Sequence, residues 1–218
     1  MANHAALPEL RLGLAQEQTA SDDALRPRGR RAADPADLAD IGRCLKGDGD
    51  AYRRLIERHQ KQISGMMWRF SRDPDVHEEL VQDVFVQAYE SLTNYRAEAP
   101  FAHWLARIAT RVGYAYWKKQ KREQAIETVP LEDWHHIPDE TTDEMSPEAA
   151  GEMLHQLLAK LPPRDRLVLT LRHVDERSVE ETAELTGWSV SMVKVQAWRA
   201  RKKLKALFER CDEAGDRM

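Results

Sequence analysis

Cysteine is nearly missing from this chain. Cys44 and Cys211 are the only two, they stand far apart, and no CxxC pair occurs. That pattern argues against a disulfide framework or a cysteine zinc site, and it fits a reducing compartment. No apolar run approaches the roughly 18 residues of a membrane span, so membrane insertion is not expected. The first residues hold no basic start followed by an apolar core, so secretion is not expected either. Signatures of catalysis are also lacking. There is no Gly-rich phosphate loop, no metal-spaced ligand set, and no Ser/His/Asp or Cys/His arrangement in a recognisable context. "HEELV" has no second histidine four residues after His77, which separates it from the zinc-protease motif. His135 and His136 lack further ligands nearby and read as loop residues. We therefore expect neither an enzyme nor a cofactor. Strand alternation is absent throughout, so the expected fold class is all-α.

What the chain does have is charge, unevenly spread. Charged residues make up 32% of the sequence and hydrophobic ones 42%, a mix that suits small helical domains joined by polar segments. Residues 41–125 carry 15 basic and 11 acidic side chains, and residues 151–218 carry 13 and 11. Between them, residues 126–150 hold 8 acidic side chains and no basic one. Two mildly basic blocks split by an acidic strip point towards nucleic acid.

This divides the chain as follows. Residues 1–38 show no sustained periodicity and include "RPRGRR" and "ADPAD"; they read as a disordered extension. Residues 39–123 read as one helical domain, 124–145 as an acidic linker, 146–210 as a second helical domain, and 211–218 as a tail. In the first domain, Asp48 or Asp50 can cap a helix whose apolar face runs from Tyr52 to Phe70. Asp73 followed by Pro74 starts the next helix, with Val76, Leu80, Val84, Phe85, Ala88, Tyr89 and Leu92 as its inner stripe. Glu78, Glu79, Gln82, Asp83 and Gln87 stay outside and form a polar, acidic face, which can dock a basic partner helix. A third helix follows Pro100. At 100° per residue, its Arg107, Arg111, Tyr114, Lys118 and Lys121 fall within about 80° of one another, away from its apolar stripe. Cations beside aromatics suit unpaired nucleic acid, because phosphates attract the cations and bases stack on the rings. Trp104 sits at the edge of the apolar stripe and reads as core before base contact.

The second domain contains "SVEETAELTGWSVSMVKVQAWRARKKLK", residues 178–205. Two short helices joined through a Gly turn make a helix-turn-helix. The small residue at the crossing, the turn glycine and the apolar residue beyond it are met by Ala183, Gly187 and Val193. Ser189 caps the second helix, whose buried stripe is expected to be Val190, Val193, Ala197, Leu204 and Phe208. Ser191, Met192, Val195, Arg199 and Lys202 then lie opposite. A helix of this diameter fits the major groove, where apolar groups meet thymine methyls and Arg meets guanine.

With these pieces in order, the chain resembles a bacterial RNA polymerase sigma factor of the extracytoplasmic-function type, group 4 of the sigma-70 family. The resemblance covers roughly residues 45–122 and 150–208. "EELVQDVFVQAY" resembles the family's core-polymerase-binding helix. "YRAEAPFAHWLARIATRVGYAYWKKQKR" resembles the segment that melts and reads the −10 element. "LPPRDRLVLTLRHVDERSVEETAELTGWSVSMVKVQAWRARKKL" resembles the −35-binding domain.

The resemblance implies a set of contacts. The acidic face Glu78, Glu79, Gln82, Asp83 and Gln87 would meet the clamp helices of the polymerase's largest subunit, with a further contact to the polymerase flap. Asn94, Arg96, Arg107, Arg111, Tyr114, Lys118 and Lys119 would face the −10 element, with a base pocket around the loop Asn94–Pro100. Arg172, Ser191, Met192, Lys194, Val195, Trp198, Arg199 and Lys202 would face the −35 duplex. Promoter DNA, core polymerase and an anti-sigma factor are the implied partners, in a bacterial cytoplasm. Family members often carry Asn where Arg111 stands, and Thr, Ser and Arg where Met192, Val195 and Gln196 stand. Those departures are expected to face DNA and so bear on the promoter sequence rather than on polymerase binding.

The linker length is compatible with this use. Some 22 residues reach at most about 80 Å, and two elements roughly 25 base pairs apart span about 85 Å. Overall acidity weakens non-specific DNA binding, so the free chain should bind promoters poorly. The alternative is a stand-alone helix-turn-helix regulator that dimerises on a palindrome, which leaves residues 75–122 unexplained.

Overall fold

The computed structural model describes residues 33–126 and 147–215. The acidic strip's central part, the His135–His136 pair and most of the N-terminal extension lie outside the described residues. Among the described residues there are eight α-helices and no strand. The first half holds α1 (Pro35–Cys44), α2 (Gly49–Met67), α3 (Pro74–Glu90), a 3-10 turn at Leu92–Asn94, and α4 (Phe101–Ile126). The second half holds α5 (Pro147–Ala159), α6 (Pro163–Leu169), a π-helical turn at Thr170–Val174, α7 (Val179–Thr186) and α8 (Val190–Gly215).

Local chemistry sets the helix starts. The Asp48 carboxylate accepts from the backbone N–H of Asp50 and Ala51, and that of Asp73 accepts from Asp75 and Val76. Each satisfies donors that the first turn leaves open. The apolar faces then close the core. Leu55, Ile63, Met67, Val84, Leu105 and Ile108 are fully buried in one cluster shared by α2, α3 and α4. Tyr89, placed on the inner stripe by its spacing, is instead 56% exposed. It lies edge-on to Tyr52 at 4.9 Å between ring centres, and Leu92 takes the buried position beyond it.

The stretch assigned to a disordered extension over 1–38 needs correction at its end. "ADPAD" is a helix start: Asp34 caps α1 by accepting from the Ala36 N–H at 2.8 Å, with Pro35 in the first turn. Long-range ion pairs hold α1 down, which periodicity cannot register. Asp37 meets the His59 ring Nε2 at 3.0 Å and also Arg58. Asp40 accepts from Arg54 at 2.9 and 2.8 Å and from Arg58 at 2.8 Å. Burial pushes the Asp37 carboxyl up, but the hydrogen bonds and charges of His59 and Arg58 outweigh it, and the net shift is below the usual 3.8. The hydrogen bonds from Arg54 and Arg58 likewise hold Asp40 below that value.

Carboxyls lowered in the folded state add stability above the unfolded value of 3.8 and lose it as pH falls through the folded value. The double variant Asp37→Asn/Asp40→Asn should therefore be less stable than wild type at pH 6. The gap in urea midpoint should narrow steadily below about pH 4.

In the second half, Ser178 and Glu181 form a reciprocal capping box at the start of α7. Gly187 ends it at φ 73°, a left-handed conformation that favours glycine. Ser189 then caps α8 by accepting from the Met192 N–H at 3.2 Å. The buried stripe of α8 is Val193, Ala197 and Ala200, continued by the half-buried Leu204 and Leu207. Val190 and Phe208, expected in that stripe, are 38% and 39% exposed.

The halves are not separate. α4 packs against α6 and α7. Leu167, Leu171 and Leu185 of the second half join the core cluster of the first. Arg69 pairs with Asp175 across the seam, and His103 Nε2 lies 3.3 Å from Glu184.

Candidate nucleic-acid interface

Three surfaces carry the predicted contact residues, each on a different helical element. The first is the outer face of α3. Glu78, Glu79, Gln82, Asp83 and Gln87 are all exposed there, while Leu80, Val84, Phe85 and Ala88 anchor the opposite side. Helical geometry places Val86 in the middle of the acidic residues, within about 60° of Glu79, Gln82 and Asp83. It is 47% exposed. Val86 is not among the residues that spacing assigns to this face. Its signal was an apolar residue at an outward position, and such a side chain gives a polar docking face an apolar centre.

The second surface belongs to α4 and the loop before it. Arg107, Arg111, Lys118 and Lys119 are exposed on α4, and Asn94 and Arg96 are exposed in the loop. Tyr114 is half-buried: its ring stands edge-on to Trp188 at 6.5 Å, and Lys118 Nζ lies 5.8 Å from its centre. Trp104 is half-buried against Phe101 and Tyr95, 5.5 Å from each ring. The loop is fixed by the Tyr95 hydroxyl, which donates to the Ala99 carbonyl at 2.7 Å. Ala97 is held at φ 56°, a left-handed conformation that costs a non-glycine residue on the order of 1 kcal/mol.

The third surface is the outer side of the helix-turn-helix. Ser191, Lys194, Val195, Trp198, Arg199 and Lys202 are exposed on α8, and Met192 is half-buried. Trp198 is 59% exposed, with Lys202 Nζ 5.8 Å from its ring centre. An aromatic and a cation standing free beside one another offer both an apolar face and a phosphate partner. Two residues behave otherwise. Arg172 is half-buried and donates to the Arg177 carbonyl. Gln196, expected to face DNA, turns inward and donates to Asp165 at 2.6 Å. Lys203 reaches the same buried carboxylate at 2.6 Å. Asp165 thus ties α8 to α6 and fixes the orientation of the outward residues.

Asp165→Ala should loosen that tie. The carboxylate is 1% exposed but its Lys203 partner is half-exposed, so the expected loss is about 2 kcal/mol rather than the larger cost of breaking a fully buried pair. Thermal unfolding of the variant checks it.

Among the described residues no group of three or more His, Cys, Asp or Glu is placed to hold a metal ion, and no helix is long and apolar enough to cross a membrane.

Comparison with known proteins agrees with this arrangement. Residues 55–123 match the family described as Sigma-70 region 2, and residues 151–204 match Sigma-70, region 4. The ECF RNA polymerase sigma-E factor of Haemophilus influenzae is 29% identical over 177 residues, covering 78% of this chain and 93% of that protein. The sigma-E factor of Escherichia coli K12 is 29% identical over 172 residues, covering 75% and 90%. Among solved structures, CnrH in complex with the cytosolic domain of CnrY is similar at 26% identity and a TM-score of 0.52, covering 80% of this chain and 98% of that one. The two family matches fall on the two helical halves in order and together span more than half of the sequence; they place this chain in the sigma-70 family, where it is similar to extracytoplasmic-function members over most of their length.

Proposed function

We propose that this chain is an alternative sigma factor that joins core RNA polymerase through the outer face of α3, opens the −10 element with α4 and its preceding loop, and binds the −35 duplex with α8. The observation that carries the reading is the succession of three exposed surfaces of different chemistry on one helical frame. One is acidic with an apolar centre, one is cationic beside aromatics, and one is a helix-turn-helix with an outward Trp198 and Arg199.

Each surface has a physical task. Acidic groups around Val86 complement basic clamp helices of the polymerase. Cations on α4 hold phosphates while the loop at Asn94–Pro100 receives an unpaired base, offsetting part of an unpairing cost of a few kcal/mol. α8 lies in the major groove, where Val195 and Arg199 meet base edges and Lys194 and Lys202 meet phosphates. Arg172 donates from one guanidinium nitrogen to the Arg177 carbonyl and keeps further N–H groups for a phosphate. Tyr114 and Trp188 stand edge-on to each other, so full use of the Tyr114 ring on DNA requires α4 to part from the turn between α7 and α8. That contact and the overall acidity both favour weak promoter binding by the free chain. We further propose a cytoplasmic location and an anti-sigma partner.

Sequencing the 5′ ends of transcripts made from a genomic library by core polymerase with this protein tests the reading. The start sites should share two upstream elements roughly 25 base pairs apart. Arg199→Ala should cost about 1–3 kcal/mol of −35 discrimination and relax the preference at one base position. Lys202→Ala should weaken binding equally on all sequences and lower the salt slope by about 1. Start sites without shared elements would contradict the assignment.

A further inference from the structure

The seam between the two halves holds a half-open cavity of about 320 Å³. Arg166 of α6 lines it and is 5% exposed. The Arg166 guanidinium lies over the Trp117 ring at 3.9 Å, and its Nη2 reaches His155 Nε2 at 3.1 Å. Among the described residues no carboxylate forms an ion pair with it. Burying an unpaired cation costs several kcal/mol, and a ring contact returns only about 2 kcal/mol of it. The cost registers in the group itself: burial lowers Arg166 to about 10. Burial, followed by the charges of Arg166 and Arg72, lowers His155 to about 4. His155 is therefore neutral at pH 7, so its Nε2 can accept from Arg166 without adding a second positive charge.

Arg72 and Lys121 are exposed at the rim of the same cavity. Its one acidic lining residue, Asp73, is engaged in capping α3, accepting from Asp75 and Val76 at 2.9 and 3.2 Å. Three cations against one carboxylate leave the lining at +2. Walls of Phe70, Tyr116 and Trp117 add flat apolar surface.

We propose that this cavity is a binding site for a phosphate-bearing small molecule, with Arg166 at its floor and Arg72 and Lys121 at its rim. A phosphate dianion matches the lining charge, and guanidinium groups bind it through paired N–H donors. The volume is at the lower end of small-ligand pockets, with room for a phosphate and one ring. Arg72 and Lys121 belong to the first half, Arg166 and His155 to the second. A ligand here bridges the two, so binding favours the packed arrangement of α4 on α6. This inference is independent of the proposed role in transcription.

The test uses the full-length chain and follows the Trp117 indole N–H by nuclear magnetic resonance, assigned with a Trp117→Phe variant. Phenyl phosphate, inorganic phosphate and benzoate are titrated separately. Phenyl phosphate should shift the signal saturably with half-saturation below about 1 mM. The rim variant Arg72→Met/Lys121→Met, whose positions are exposed, should melt like wild type without ligand and bind about tenfold more weakly. Inorganic phosphate saturating at the same concentration identifies the free anion as sufficient; failure of inorganic phosphate alone identifies a ligand with a ring body. Benzoate binding as tightly as phenyl phosphate overturns the phosphate assignment. No saturable shift up to about 20 mM of either phosphate, or equal binding by the rim variant, overturns the site.

Discussion

Gly113→Ala should destabilise the first half by about 3 kcal/mol or more, at the upper end of what overpacking a core costs. A Cβ at Gly113 would stand 2.3–2.4 Å from three atoms of the Phe70 ring. The ring cannot retreat. It is 5% exposed and packs on Trp117 at 4.5 Å, and the Trp117 indole N–H donates to the Phe70 carbonyl at 2.8 Å. Either α4 shifts off α2 or Phe70 leaves its rotamer, and both disturb the helix proposed to open DNA. Gly65→Ala is the matched control. Nothing lies within 4 Å of its added Cβ, and it is exposed in the last turn of α2. There the added methyl should stabilise by up to about 0.5 kcal/mol through backbone entropy, the low end of the helix-interior value. Chemical denaturation of the two variants should therefore give shifts of opposite sign.

Glu79→Lys with Asp83→Lys should abolish transcription while leaving the fold intact. Both residues are exposed and form no ion pair within the protein among the described residues. Their replacement costs little stability. At an interface with a basic partner helix the same change substitutes repulsion for attraction, at an expected cost of about 3 kcal/mol, or on the order of 100-fold in affinity. Val86→Ala should weaken the complex less and without a salt dependence, because it removes apolar area only. Measuring affinity for core polymerase at two salt concentrations separates the charge effect from the apolar one. An unchanged affinity of the charge-reversal variant would place the docking face elsewhere.

The helix boundaries were largely legible because their causes are local. Asp73–Pro74, Ser178 with Glu181, and Gly187 each act within one turn, and the sequence states them directly. α1 was missed for the opposite reason. Its start is spelled out by Asp34 and Pro35, but its docking depends on Arg54, Arg58 and His59, a helix away. Outward positions on α3 and α8 followed from periodicity, yet Tyr89 did not behave as its spacing suggests, nor Gln196 as the family resemblance implies. Gln196 answers to Asp165, and Tyr89 to Tyr52, both distant in sequence. The packing of α4 on α6 and α7 was equally hidden. A charge profile that separates two domains says nothing of the apolar groups, Leu167, Leu171 and Leu185, that join them.

The account's central claim is met most directly by adding the purified chain to sigma-free core polymerase with promoter DNA and measuring run-off RNA. A complex of the two proteins and discrete transcripts, both lost in Glu79→Lys/Asp83→Lys, are the expected result. Absence of any complex together with absence of initiated RNA would contradict it.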